Sequence, residues 1–246
     1  MYNFFVSPDA VQDSKIIITG KDVNHMKNVL RMKAGENIYI STGEDNASYD
    51  CVIEELKEDE VVCTIVAKLE EGLELPSKIY LFQGLPKADK MEWIIQKTVE
   101  LGVFEIIPVA TKRSVVKLDE KKAKSKVQRW QGISEAAAKQ SKRRLIPNVT
   151  EVVSFKQALE MAEQMDVKLL PYECAEGMPK TKQLLQNIGS GKEVAIFIGP
   201  EGGFAPEEVA MATEKGFEPI TLGRRILRTE TAGMTVLAWI MYQLES

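Results

Sequence analysis

The sequence is poor in two residue types that carry much of enzyme chemistry. Its 246 residues include one histidine and three cysteines. With His25 alone, a multi-histidine zinc site is excluded, and any histidine-based triad would have to use that residue. Cys51, Cys63 and Cys174 are too few for a disulfide framework and do not stand at metal-ligand spacing, so a reducing compartment and no metal are expected. No stretch approaches the roughly 18 uninterrupted apolar residues of a membrane span. The opening MYNFFVSPDA has neither a basic nor a long apolar region of the secretory type. The expectation is a soluble, cytoplasmic protein with no membrane partner. At 44% hydrophobic residues there is enough apolar material for a core, and wholesale disorder is excluded.

The net charge of −4 conceals an asymmetry. Residues 1–72 carry 7 basic and 14 acidic side chains, whereas residues 112–144 carry 12 basic and 3 acidic ones. A dense basic stretch in an acidic chain suits a local polyanion contact, but from charge alone a solvated helix is the favoured account. Patterning changes near the same boundary. KIIITG (15–20), NIYIST (37–42), ASYDCVIEEL (47–56) and EVVCTIVAKL (60–69) are β-branched runs bounded by turn residues, with a short helix expected over 22–32. They predict a small β-barrel, closed by a linker over 70–76. Beyond it, KIYLFQG, FEIIPVA, NVTEVV, VKLLPYE, VAIFIG and FEPITLG alternate with helical patterns over 89–101, 119–140, 155–164, 179–187 and 206–215. Strand alternating with helix predicts an α/β domain with a mainly parallel sheet. The last helix, 231–244, is apolar almost all round and is expected to be buried, partly in a subunit interface. Trp93, Trp130 and Trp239 all fall on predicted helices and are expected to pack. His25 reads as a structural residue of the barrel or a contact to the same polyanion.

The most informative local feature is IFIGPEGGF (196–204), a strand, a glycine loop and a helix with Glu207 and Glu208 in its first turn. It contains neither G-K-[ST] nor G-x-G-x-x-G, so it is neither a Walker loop nor a dinucleotide fingerprint. Glu201 would repel a phosphate, by roughly 1 kcal/mol at about 4 Å in water. A sulfonium such as that of S-adenosylmethionine suits the loop better, and a ligand-free tight turn remains open. A second segment, LGRRILRTETA (222–232), puts Arg224, Arg225 and Arg228 ahead of the final helix, with Thr229 or Thr231 as its expected cap. Arginines there suit phosphate or base edges.

With these motifs the chain resembles the ribosomal RNA small subunit methyltransferase E family of the SPOUT superfamily. FIGPEGGF and LGRRILRTETA carry the resemblance, and HMKNVLRMKAGENIYI, LPKADKMEWIIQKTVELGVFEIIP, RSVVK and the RW…EAAAKQS stretch extend it over the chain. The resemblance implies a trefoil-knotted parallel sheet with helices on both faces (73–246), preceded by a PUA-like RNA-binding barrel (1–72). It also implies S-adenosylmethionine as cofactor and a homodimer. The implied reaction is methylation of N3 of a uridine near the 3′ end of 16S ribosomal RNA, within the 30S subunit; DNA is not an expected partner. Carried onto this sequence, the cofactor site comprises Leu170, Tyr172, Glu173, Ile198, Gly199, Gly203, Leu222, Gly223, Ile226 and Leu227. Arg228 is expected to hold developing negative charge, with Glu201 or Glu230 taking the proton. Arg31, Lys87, Lys97, Arg113, Arg143 and Arg225 are the expected RNA contacts. Three positions depart from the family pattern: Asn3 replaces an arginine, Arg224 a proline and Lys142 a glycine. Methylation of a ribose 2′-hydroxyl, or an RNA-binding assembly factor without catalysis, are the alternatives, with a nucleotide-binding regulator a weaker third.

Overall fold

The computed structural model describes residues 2–43, 47–69, 72–173, 175 and 177–246. Cys174 and the first two residues of the expected linker, Glu70 and Glu71, lie outside them. The chain forms two compact units, Met1–Glu74 with Ala138–Ile146, and Leu75–Ala137 with Pro147–Ser246.

In the first unit the described strands are β1 (Asn3–Phe5), β2 (Val11–Gln12), β3 (Lys15–Thr19), β4 (Asn37–Ser41), β5 (Ser48–Leu56) and β6 (Glu60–Lys68). They pair in the order β1-β4-β5-β6-β3-β2, antiparallel except for β1 on β4. Alternation along β3 and β4 sends Ile16, Ile18, Ile38 and Ile40 to one face, where they pack with Phe4, Met26, Ile53 and Val61. The short helix expected over 22–32 is α1 (Lys21–Asn24) running into one widened turn, His25–Val29. His25 is on its exposed side, so it fills no core position.

The segment Ala138–Ile146, absent from the 1–72 barrel read from sequence, joins this unit through buried polar bonds. Asn3 donates to the Arg143 carbonyl at 2.9 Å and accepts from Ser41 Oγ at 3.1 Å. Glu74 accepts from the backbone N–H groups of Arg144 and Leu145 and pairs with the Arg143 guanidinium. Asn3 is thus a buried structural residue. Lys142, in the turn after the helix, has φ +59°, the left-handed region that favours glycine.

The second unit is built on parallel strands β7 (Lys78–Gly84), β8 (Glu105–Ala110), β9 (Asn148–Val149), β10 (Val153–Ser154), β11 (Val167–Pro171), β12 (Glu193–Ile198) and β13 (Glu218–Ile220). Their order is β10-β8-β7-β12-β11-β13, with β9 also on β8. Between them lie α2 (Lys90–Glu100), α3 (Glu120–Gln140), α4 (Phe155–Met161), α5 (Met178–Gln186) and α6 (Pro206–Glu214), and the chain ends in α7 (Thr229–Leu244). The central strands are apolar because both faces are covered. Phe82 and Phe197 stack at 4.3 Å between centroids, and Phe217 meets Phe197 edge-on at 4.5 Å.

Trp130 is buried as expected, but Trp93 is 51% exposed, with the Lys97 ammonium 5.1 Å from its ring centroid. On α7 only one stripe is buried, formed by Ala232, Val236, Leu237 and Ile240 among others; Tyr242 is 75% exposed. Burial of the helix all round is therefore not a property of the single chain.

Candidate active site

Because the strands are parallel and β7, β12, β11 and β13 are successive neighbours, their carboxyl ends share one edge of the sheet. The loops leaving those ends enclose a cavity of about 500 Å³, the position where open α/β sheets place ligands. Three walls are the turns after β11, β12 and β13; Lys90, Arg113 and, from α7, Thr229 and Ala232 complete the lining.

The turns approach so closely that a side chain is excluded at one glycine and crowded at a second. A Cβ on Gly84, the last residue of β7, would lie 2.7 Å from Pro200 Cδ and 2.8 Å from Pro200 N. One on Gly199 would lie 3.1 Å from the backbone of Gly203. The contact is tied by hydrogen bonds. Thr229 Oγ1 donates to the Gly199 carbonyl at 2.6 Å. Buried Gln83 donates through Nε2 to Thr229 Oγ1 at 2.9 Å and to the Gly84 carbonyl at 3.0 Å. Since the carbonyl can only accept, the amide orientation follows. Thr229 is therefore not the helix cap: Arg228 occupies that position, and its side chain makes no capping bond.

On the opposite side, buried Glu208 accepts from Lys112 N at 2.8 Å and Ala205 N at 2.9 Å, joining the turn after β8 to the start of α6. Arg113 reinforces this by donating to the Gly202 carbonyl at 2.9 Å.

Most of the residues expected at a cofactor site meet here. Tyr172, Glu173 and Ile198 line the cavity, as do Gly199 and Gly203. So do Leu222, Gly223, Ile226 and Leu227, with Ile226 85% exposed. Leu170 is different: its side chain is fully buried in the core under the sheet, and the lining starts at Pro171. Of the expected catalytic residues, Arg228 and Glu201 line the cavity and Glu230 does not. Glu230 lies in the first turn of α7, with a buried Oε2 that is 3.4 Å from Lys90 Nζ and accepts no well-aligned hydrogen bond. Burial opposes ionisation of Glu201. The Lys90 ammonium at 2.9 Å and the Lys87 N–H outweigh it and hold this carboxyl below its ordinary 4.5.

The expected RNA contacts are dispersed. Arg113 and Arg225 line the cavity. Lys87 is exposed and Lys97 pairs with Glu100 on α2. Arg31 is exposed in the first unit. Arg143 is a correction: it is 4% exposed and its guanidinium is held by Glu74, so its charge is not offered to a partner.

Sequence reasoning missed Gln83, Gly84, Lys90, Thr229 and Glu208 as parts of this site. A signal existed for Gly84, a glycine ending an apolar strand. None existed for the others, whose roles depend on partners from 96 to 146 positions away for Glu208 and Gln83.

The lining is mixed: Lys90, Arg113, Arg224, Arg225 and Arg228 share it with the carboxylates Glu173 and Glu201. Leu222, Leu227 and Ile226 give an apolar wall, and Glu201, paired with Lys90, puts a carboxylate on the glycine turn. Arg224, Arg225 and Arg228 on the next turn suit a separate polyanion at the mouth. Among the described residues no cluster of His, Cys, Asp and Glu is placed to hold a metal ion, and no helix is long and apolar enough to cross a membrane.

Comparison with known proteins agrees with this geometry. Residues 73–241 match the model of an RNA methyltransferase domain, and residues 18–66 that of an RNA methyltransferase PUA domain. The chain is 42% identical over 231 residues to the ribosomal RNA small subunit methyltransferase E of Bacillus subtilis, covering 93% of this chain and 90% of that protein. It is 35% identical over 243 residues to the protein of that name from Mesomycoplasma hyopneumoniae, covering 96% and 97%. A crystal structure of the Neisseria gonorrhoeae protein of the same name, bound to S-adenosyl methionine, superposes with a TM-score of 0.82. It is 31% identical, with 97% of this chain and 96% of that chain covered.

Proposed function

Since the chain belongs to the ribosomal RNA small subunit methyltransferase E family, we propose that it transfers a methyl group from S-adenosylmethionine to N3 of a uridine near the 3′ end of 16S ribosomal RNA. The observation that carries this reading is the cavity formed by the glycine turn after β12 and the arginine-bearing turn after β13. S-adenosylmethionine supplies an electrophilic methyl group on a sulfonium.

This chain's own residues would do the rest. Leu222, Ile226 and Leu227 would wall an adenine, and backbone groups of Gly199 and Gly203 would approach the ligand without side-chain interference. Uridine N3 is a weak acid whose attack requires loss of its proton, and negative charge then spreads toward O2 and O4. Arg228, on the lining, would stabilise that charge. Of the two expected proton acceptors, Glu201 is on the cavity wall and would take the proton; Glu230, turned to Lys90, is outside it. Because N3 lies on the Watson–Crick edge, the base has to be unpaired or flipped. Arg113 and Arg225 at the cavity, with Arg31, Lys87 and Lys97 farther out, would meet phosphates.

The same reading divides the chain into an RNA-binding PUA-like domain (1–72) and a methyltransferase domain (73–246) whose last turns form a trefoil knot. It places the protein in the cytoplasm, acting on the 30S subunit. It makes the molecule a homodimer, with the outward side of α7, including exposed Tyr242, as the candidate contact. The test is incubation of the purified protein with methyl-labelled S-adenosylmethionine and unmodified 30S particles, followed by mass analysis of digested RNA. Label on uridine N3 is the expected result; label on a ribose, or none, overturns the reading. Arg228→Ala should lower the methylation rate by about 10²-fold or more with S-adenosylmethionine affinity little changed.

A further inference from the structure

Lys90, the first residue of α2, has no role in the reading above, yet it joins three separated parts of the chain. Its ammonium is 2.9 Å from Glu201 Oε1 in the turn after β12 and 3.4 Å from Glu230 Oε2 at the start of α7. All three side chains are largely withdrawn from solvent, at 28%, 28% and 19% exposure. Glu201 is anchored a second time on the same segment, its two oxygens accepting from Lys87 N at 3.1 and 3.3 Å. Between these anchors Ala88 has φ +54°, a conformation that a residue with a Cβ holds only when its surroundings impose it. Glu230 Oε2 is buried and has no aligned hydrogen-bond donor, which leaves the Lys90 charge as its compensation.

We propose that Lys90 is a positioning residue that latches the glycine turn to the first turn of the last helix by bridging Glu201 and Glu230 and offsetting their mutual repulsion. Without its charge, two partly buried carboxylates face each other over a short gap, and like charges in such surroundings repel. The easier movement is that of Glu201, because Glu230 is fixed on a helix. Movement of Glu201 releases Lys87 N and shifts Gly199–Gly203, the wall assigned to the cofactor. Lys90 and Glu201 both stand on the cavity lining, and the latch acts on cofactor binding by holding the turn that carries Glu201 in place. This step rests on the cofactor assignment above, whereas the latch itself does not.

Charge balance separates a latch from simple structural support. Lys90→Met removes the cation, and Lys90→Met/Glu230→Gln removes the repulsion that it controls. In Lys90→Met, S-adenosylmethionine affinity measured by calorimetry should fall by about fivefold or more, and exchange of the Lys87 amide in the ligand-free protein should accelerate. In the double variant both should return most of the way to wild type, although neither original partner of that arm is present. Lys90→Met behaving as wild type, or a double variant no better than the single one, overturns the latch. If Lys90→Met fails to fold, cure by Glu230→Gln supports the latch and persistent failure refutes it. If the wild type does not bind S-adenosylmethionine, the functional reading falls, and amide exchange still decides the latch.

Discussion

Replacing Gly84 with alanine tests the construction of the site at its tightest point. The added Cβ would stand 2.8 Å from Pro200 N, and an ordinary contact starts near 3.4 Å. The turn therefore has to retreat by about 0.6 Å, since the obstacle is backbone and a proline ring and no rotamer relieves it. Overpacking of this type costs about 1–3 kcal/mol. The retreat also pulls the Gly199 carbonyl from Thr229 Oγ1, at present 2.6 Å away, which adds about 1 kcal/mol. A loss of about 2–4 kcal/mol lowers the melting temperature by about 4–16 °C in a chain of this size. Displacement of a cofactor wall by half an ångström should in addition weaken S-adenosylmethionine binding by about tenfold or more. Thermal unfolding and calorimetry read the two effects separately. Gly132→Ala is the control: it lies in α3 with open space at its Cβ, and it should stabilise by up to ~1 kcal/mol. A Gly84→Ala protein that melts with wild type refutes the packing argument. One that melts low but binds the cofactor normally refutes the placement of the cofactor against this turn.

Lys142→Gly should raise stability by about 1 kcal/mol in chemical denaturation, because it removes a Cβ from a left-handed residue at φ +59°; an unchanged midpoint would refute this. Glu201 is held below its ordinary 4.5 by Lys90 and the Lys87 N–H against the opposing effect of burial. Its contribution to stability should be complete above pH 4.5 and lost as the pH falls through the lowered value. The difference in melting temperature between wild type and Glu201→Gln should accordingly be flat from pH 8 to about 5 and shrink only in more acidic solution; shrinkage between pH 7 and 5 would contradict the pairing. Burial, first of all, pushes the thiols of Cys51 and Cys63 up to about 12. In a Cys174→Ser background, a thiol reagent at pH 8 should therefore label the unfolded but not the native protein.

Much of this architecture is legible in local pattern. KIIITG and NIYIST alternate because one face of a sheet is buried, and VAIFIG does not because both faces are. The glycines of 199–203 and the arginines of 224–228 marked the two turns, since close backbone approach and anion contact require those residue types. Local pattern also misled. Arg143 has the chemistry of an RNA contact, but a partly buried carboxylate, Glu74, lies 69 positions away in the chain and beside it in the fold. Trp93 has helical spacing from its neighbours and still points outward. Glu230 stands next to the arginine turn in sequence, and the direction of α7 turns it to Lys90.

By itself the sequence determined the longer strands, the helices, the family and the two turns that enclose the cavity, because backbone conformation and burial leave periodic, short-range marks; the short strands β1 and β2 left none. Only the tertiary structure decided which charges meet and which glycine is indispensable. Gly84 matters because Pro200 is against it, and Lys90 because two carboxylates converge on it. Interactions of that kind depend on the distance between atoms, to which separation along the chain is no guide.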